Sequence, residues 1–570
     1  MQYSYLSFLK KYLLNQKKVI IVVLITTIIQ SIITMCIPLT YKELIDRAFP
    51  KKDFSLFIQC VSGMVILFFI NSLLNILKDY LLAKIVERLS FTLRKELNDK
   101  LSYLPYKFFD DHKLSDILSR YNKEIDVIKQ NCGYMTVNIF SNIITTLFAS
   151  TMILFFDWRL LVVSMLIIVF YITINRYFGK KVKEYAGEAM KSNEYSVNQI
   201  METYNNVLIT KIYSSYNYVE KKFMNAYKRQ YDNQMKLELT YSTNINLSGI
   251  LIYLLSGVIW IIGGVGVFAN KYTVGTIISL LNYQNMLLGT TRFFSEFNNS
   301  YQGTLTAIER LQSIFNEVEE RAGGIYPPEN ISEIILDGIY FSYSTEKAPV
   351  LINVYGTMKK GEITAIIGPS GSGKSTVTKL LLGLYKPQKG SILINNNSLN
   401  SMDLALYRKR TAYIPQDSLF FNDSILNNIG FEDTIDPVFL EEISKTLGLY
   451  DEIMGLPLKW NTILNPGGSN ISGGQKKRID ILRALIRNAE IIIFDEPTAS
   501  LDMERRISFL ELLTEIKSEK IIILITHNKE ESYFFDKIYS VKNGELLDCT
   551  TEEWRTITNK NPVSLRTNGT

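Results

Sequence analysis

The chain has 570 residues, 47% apolar and 21% charged, with 62 Lys and Arg against 56 Asp and Glu for a formal charge of +6. Such a length exceeds one ordinary soluble core. The composition excludes collagen, coiled coil, long disorder and a small disulfide scaffold, and the mild charge suits an anionic membrane surface without being a nucleic-acid signature.

The averages hide two unlike halves. Tyr5–Lys18 reads as a basic amphipathic segment, followed by the uncharged apolar run Val19–Tyr41. A helix needs about 20 apolar residues to cross a bilayer. The run contains Pro38 and ends without a small-residue cleavage site, so it is read as a span and not a cleaved signal. Further runs are Phe54–Leu77, Gln130–Phe156, Leu160–Asn175, Leu239–Asn270 and Tyr272–Thr291. Only Asp157-Trp158-Arg159 separates the third from the fourth, and only Lys271 the fifth from the sixth. Six membrane helices are therefore expected, the last four as two hairpins. Lys78–Lys129 and Gly179–Glu238 are read as long charged loops on the same side as the basic N-terminal segment. Cys36 and Cys60 lie in apolar runs and read as small buried thiols.

Ala322-Gly323-Gly324-Ile325-Tyr326-Pro327-Pro328 reads as a linker. Beyond it, short β-like runs alternate with helical ones. Ile491–Phe494 and Ile521–Thr526 are uninterrupted apolar strands, as expected for a parallel sheet covered on both faces. The expected boundaries are a membrane domain over 1–315, a linker over 316–332 and an α/β domain over 333–570.

Gly368-Pro369-Ser370-Gly371-Ser372-Gly373-Lys374-Ser375-Thr376 matches the P-loop pattern, after the strand Ile363–Ile367 and at the start of a helix. Glycines let backbone N–H groups wrap phosphates, Lys374 neutralises the β and γ charge, and the Ser375 hydroxyl suits Mg2+. The strand Ile491–Phe494 runs into Asp495 and Glu496, which suit Mg2+ binding and polarisation of an attacking water. Ser472-Gly473-Gly474-Gln475 places an N-cap and two glycines before a helix, a second anion site about a hundred residues after the first.

With these motifs in place, the whole chain resembles an ATP-binding cassette (ABC) transporter of the exporter type: six membrane helices fused to a P-loop α/β nucleotide-binding domain. Ile471-Ser472-Gly473-Gly474-Gln475 resembles the family signature, with Ile for the commoner Leu. The resemblance implies that the signature of one subunit closes over ATP held by the P-loop of another, and hence a dimer of half-transporters. It also implies that Tyr343 stacks on adenine, that Gln416 senses Mg2+ and water, that Asp502 lies in the loop crossing the dimer interface, and that His527 contacts the γ-phosphate. ATP and Mg2+ follow as cofactors, with Ser375, Gln416 and Asp495 as the metal's ligands. Leu104–Asp110 and the region near Ser214–Asn217 resemble the two coupling helices, which makes the long loops and the nucleotide domain cytoplasmic. His112, beside the first, reads as a solvated loop residue. One departure is Pro466, in a stretch where many exporters carry a glutamate.

No catalytic position looks degenerate, which favours a homodimer, with a heterodimer whose partner carries the defects as the alternative; residue usage rich in Ile, Asn, Lys and Tyr suggests the cell membrane of an AT-rich bacterium. Thr27, Gln30, Ser31 and Thr34 share a face of the first helix, Asn138, Ser141, Asn142 and Thr145 one of the third, and Ser279 and Asn282 one of the sixth. These stripes read either as helix packing or as a cavity lined by amides and hydroxyls. Arg292 and Glu296 are four apart near the inner end of the sixth. About 18 residues precede the first span, so no leader-cutting peptidase domain is expected. The cargo expected is a peptide or amphipathic compound, with a drug or lipid as alternatives. An ATP-gated channel or sensor, and an exporter-shaped importer, are the competing functions.

Overall fold

A computed structural model describes residues 8, 11–12, 16–112, 114–320, 323–344, 348–431, 435–498 and 501–549, with the backbone alone at 114, 115, 132, 134, 136, 295, 296, 298, 299, 529 and 530. Most of Tyr5–Lys18, Ala322 of the linker and the side chain of Glu296 lie outside the described residues. Two compact units emerge, Met1–Leu101 with Leu114–Glu317, and Ser102–Lys113 with Val318–Thr570.

The first unit holds six long helices: α1 Lys17–Glu43, α2 Phe54–Ser102, α3 Ile125–Phe156, α4 Trp158–Asn205, α5 Tyr216–Phe268 and α6 Val274–Phe315. Among the described residues, five helices are long and apolar enough to cross a membrane, α1 (continued to Ala48), α2, α3, α4 and α5. The sixth is helical over 42 residues but misses that apolarity because hydroxyls and amides, Thr276, Ser279, Asn282, Gln284 and Asn285 among them, interrupt its apolar run. Exposed apolar side chains cover the bundle, including Ile21, Val65, Phe69, Phe155, Phe170, Ile261 and Phe268. A surface of that kind is stable only against lipid or another subunit.

Three sequence expectations change. The charged stretches are not loops: α2, α4 and α5 continue through them for 49, 48 and 53 residues in all. Their Lys, Glu and Gln residues are good helix formers. At the second coupling region the short helix lies at Val207–Ile212, a few residues before the stretch expected, and Tyr213–Ser215 form the turn into α5. Cys36 and Cys60 are half-buried within this single chain, not buried.

The polar stripes pack helix against helix. Thr27, Gln30 and Ser31 are buried. The Ser31 hydroxyl lies 3.4 Å from that of Ser141, and Gln30 Nε2 donates to the Asn71 carbonyl at 3.3 Å. Thr27, Ser31, Thr34, Asn142 and Thr145 each return a hydrogen bond to a carbonyl one turn back. Ser279 Oγ donates to the Pro38 carbonyl of α1 at 2.7 Å, which ties α6 to α1.

The second unit has two sheets. One runs β2-β1-β4-β5, with β1 Glu333–Phe341, β2 Leu351–Lys359, β4 Lys389–Ile394 and β5 Asn397–Ser398, all antiparallel. The other runs β10-β9-β3-β8-β7-β6, with β3 Ile363–Ile367, β6 Thr411–Ile414, β7 Ile491–Asp495, β8 Ile521–Ile525, β9 Lys537–Lys542 and β10 Glu545–Cys549. β6, β7, β8, β3 and β9 are parallel. Successive β7 residues serve opposite cores: Ile491 and Ile493 join one, Ile492 and Phe494 the other. Burial on both faces is why β7 carries no polar residue until Asp495.

Candidate nucleotide site

In an open parallel sheet, ligands bind beyond the carboxyl ends of the strands. β3 ends there in the P-loop, which leads into the helix Lys374–Leu381. Gly368 and Gly373 have φ of +154° and +110°. A Cβ at Gly368 would lie 2.7 Å from the Val541 carbonyl oxygen, so this turn admits only glycine. Lys374 is buried and its ammonium donates to the carbonyls of Gly368 and Pro369, both at 2.9 Å, folded back over the loop. The Ser372 hydroxyl is buried without a partner among the described residues, and Ser370, Gly371 and Ser375 are exposed. A buried hydroxyl beside a curled glycine loop is a cradle for an oxyanion. Thr376 is buried, and its Oγ1 lies 3.1 Å from the Tyr343 hydroxyl.

At the end of β7, Asp495 is buried and Glu496 follows with φ of +48°. Burial first, and then the charge of Glu496, raise the Asp495 carboxyl above its ordinary range, against the opposing pull of Lys477 and Lys374. Gln416, just beyond β6, donates through Nε2 to Glu496 Oε2 at 3.1 Å. His527, just beyond β8, places Nδ1 3.1 Å from Glu496 Oε1. Gln416, Glu496 and His527, named separately from the sequence, are thus one connected set. Among the described residues no group of three His, Cys, Asp or Glu side chains is gathered for a metal. A cation at this site would rely on hydroxyl, amide and single carboxylate oxygens such as those of Ser375, Gln416 and Asp495, a donor set suited to a hard ion of the Mg2+ kind.

The second candidate anion site opens the helix Gly473–Ile486. Ser472 caps it: Gln475 N donates to Ser472 Oγ at 3.2 Å, and Ser472 N donates to Gln475 Oε1 at 2.9 Å. Ser472 and Gly473 stay exposed. Asp502 caps the helix Met503–Ile516 by accepting from Arg505 N at 2.9 Å. Ser500, beside it, lies outside the described residues. Pro466 opens a single 3-10 turn in which Gly467 and Gly468 both have positive φ.

Three supporting residues escaped the sequence reading. Lys477 is buried one turn into the signature helix, and its ammonium donates to the carbonyls of Pro415 at 2.8 Å, Gln416 at 3.2 Å and Asp495 at 3.3 Å. It ties the signature helix to the loops carrying Gln416 and Glu496. Glu452 accepts from Arg478 at 2.8 and 3.0 Å, from Gln475 at 3.0 Å and from Arg505 at 3.4 Å. Glu531 is buried and accepts from Thr498 at 2.6 Å and Thr526 at 2.9 Å, bracing the turn that carries His527. A charged residue one turn inside the signature helix was the only sequence signal for any of them.

His112 differs from expectation. It is half-buried at the end of the helix Tyr106–Asp111, with its ring stacked on Phe108 at 4.2 Å and Nδ1 2.9 Å from the Phe108 carbonyl oxygen.

A P-loop sheet on the same polypeptide as a bundle of membrane-crossing helices defines a nucleotide-driven membrane protein. Comparison with known proteins takes this further. The family model for the ABC transporter transmembrane region matches residues 20–291, and that for the ABC transporter matches 351–499. The chain is 26% identical over 511 residues to the ATP-dependent lipid A-core flippase 2 of Colwellia psychrerythraea, covering 89% of this chain and 87% of that protein. It is 28% identical over 524 residues to the lactococcin-G-processing and transport ATP-binding protein LagD of Lactococcus lactis, covering 90% and 73%. The solved structure of a bacterial Atm1-family ABC exporter with ATP bound shares its fold, with a TM-score of 0.82 at 20% identity, over 96% of this chain and 99% of that one. The chain belongs to the ABC transporters, as an exporter-type half-transporter that spans the cell membrane and hydrolyses ATP.

Proposed function

We propose that two copies of this chain form a homodimer that uses ATP to move a peptide or amphipathic compound out of the cytoplasm. The observation that supports this reading is that one chain presents two separate helix starts suited to an anion, the P-loop and the exposed Ser472–Gly473 turn. One triphosphate does not need both from the same copy, so each signature serves its partner's P-loop. ATP is held by Gly368, Ser370, Gly371, Ser372, Gly373, Lys374, Ser375 and Thr376, with its base on Tyr343. The partner's Ser472, Gly473, Gly474 and Gln475 close over the phosphates, and Asp502 lies at the junction. Ser375, Gln416 and Asp495 would hold Mg2+, whose positive charge would offset that of the phosphates. Glu496 is the base that takes a proton from the attacking water. Its carboxylate is oriented on one oxygen by Gln416 and on the other by His527, which is positioned to reach the γ-phosphate. Closure of the nucleotide domains is transmitted through the helices Tyr106–Asp111 and Val207–Ile212. The nucleotide domain is on the cytoplasmic side.

Inverted membrane vesicles containing the chain are expected to accumulate cargo against a gradient when ATP is added, and those containing Glu496→Gln are not. ATP hydrolysis with purely downhill flux would favour a gated channel, and movement out of such vesicles an importer. A lipid cargo is a second reading, favoured by the packing of the polar stripes of α1 and α3 against each other, which leaves less polar surface for a peptide. Accelerated exchange of a labelled lipid between leaflets of reconstituted vesicles would decide for it.

A further inference from the structure

Lys379 lies on the helix Lys374–Leu381, one turn past the P-loop. Its ammonium is 5.3 Å from the ring centre of Tyr343, 5.5 Å from that of Tyr106 and 5.7 Å from that of Tyr385. It is also 3.6 Å from Asp110 Oδ2. The Tyr385 hydroxyl donates to the same carboxylate. The rings lock one another edge to face: Tyr343 to Tyr385 at 5.3 Å and 87°, Tyr106 to Tyr385 at 6.1 Å and 75°, and Phe341 to Tyr343 at 5.0 Å and 82°. Tyr106 and Asp110 are the two ends of one short helix, and this helix packs within the nucleotide-binding unit.

We propose that Lys379 is a positioning residue that links the base platform, Tyr343, to the helix Tyr106–Asp111, so that nucleotide affinity and the seating of that helix depend on each other. The inference rests on the reading of Tyr343 as the base platform. Its physical basis is that one partly desolvated ammonium is shared among three ring faces and one carboxylate. Withdrawal of the helix removes Tyr106 and Asp110 together. Lys379 then loses its counter-charge and Tyr385 loses its acceptor, so the two neighbours that fix the plane of Tyr343 lose the contacts that hold them. The link is reciprocal, because any binding free energy that seats the helix must equal what the seated helix adds to binding. A cation–π contact in a partly buried setting corresponds to roughly threefold to tenfold in affinity.

The test is a double-mutant cycle on the full chain in lipid nanodiscs, read as the Kd for the fluorescent nucleotide mant-ATP and as KM against kcat for ATP hydrolysis. Lys379→Met and Tyr106→Leu are each expected to weaken binding roughly threefold to tenfold, with KM rising more than kcat falls. The double variant is expected to be no weaker than the worse single one, and Lys379→Arg to stay within about twofold of the parent. Asp110→Asn, which keeps the shape and an acceptor for Tyr385, repeats the cycle should either apolar variant misfold. Effects that multiply in the double variant, or single variants that bind as the parent does, overturn the inference while leaving the ATPase reading intact. A parent chain that binds no mant-ATP, or binding indifferent to Tyr343→Ala, overturns the base-platform reading and this inference with it.

Discussion

His527 Nδ1 lies 3.1 Å from Glu496 Oε1, and the other oxygen of the same carboxylate accepts from Gln416 at 3.1 Å. The carboxylate is therefore held at both ends by residues from two other strand ends, and its plane is fixed before any substrate arrives. If Glu496 is the base, Glu496→Gln preserves the shape and removes the proton acceptor. ATP hydrolysis is expected to fall by about 10²–10⁴-fold, the range for loss of a positioned general base, with mant-ATP binding retained. Phosphate release within tenfold of the parent would remove Glu496 from that role.

The sharing of two anion sites between copies has its own test. In the proposed homodimer, Lys374→Ala and Ser472→Arg would each damage both composite sites. Co-expressed with separate tags and isolated as mixed dimers, they leave one site with an intact P-loop and an intact signature. Mixed dimers are expected to regain vanadate-sensitive ATPase activity that neither variant shows alone. Silence in a stable mixed dimer would argue for sites closed within one copy.

Glu452 should give an acid dependence of stability. Burial works against its charge, but the hydrogen bonds from Arg478 and Gln475 and the charges of Arg478 and Arg505 outweigh it, so the carboxyl sits below its ordinary value of 4.5. A lowered folded-state pKa adds stability above the unfolded value, and that stability fades as pH falls through the folded one. Melting curves of the full chain in detergent should show Tm declining below about pH 4.5, the ordinary value, and less steeply in Glu452→Gln. Parallel profiles for the two proteins would refute the assignment.

Lys477→Met would leave the carbonyls of Pro415, Gln416 and Asp495 without their shared donor. Unpaired buried polar groups cost about 1–3 kcal/mol each, so a lower Tm and a reduced kcat are both expected. Rescue of kcat by Lys477→Arg would tie the effect to the donor and not to side-chain volume.

Gln284 in α6 is 0% exposed, and neither its Oε1 nor its Nε2 has a partner among the described residues. An unpaired amide at that depth is costly, and Gln284→Leu is expected to raise the melting temperature. A lower melting temperature would mean that the amide is paired in the assembled transporter.

The parts legible in the sequence are those whose meaning is local. The P-loop, the carboxylates at the end of β7 and the signature each occupy a few consecutive residues, and the strand Ile491–Phe494 is apolar throughout because both its faces are covered. What stayed hidden depends on distant partners. Glu452 meets Arg478 across 26 residues, Glu531 meets Thr498 across 33, and Asp110 meets Tyr385 across 275. The polar stripes were ambiguous because a hydroxyl that bonds its own helix and one that faces a cavity look alike in sequence; Ser31 against Ser141 resolves that pair. The helical extensions were read as loops because high charge marks both a loop and a solvated helix.

The left-handed backbone at Glu496 carries a consequence for anyone who would engineer this protein. A side chain other than glycine there costs about 1–2 kcal/mol, and the fold retains it at a strand end where glycine or asparagine would sit more easily. Selection of variants for heat resistance alone should therefore drift toward Glu496→Gly, yielding a sturdier protein that, if Glu496 is the base, has its motor disabled. Any thermostability screen on this chain has to be run with turnover as a second filter.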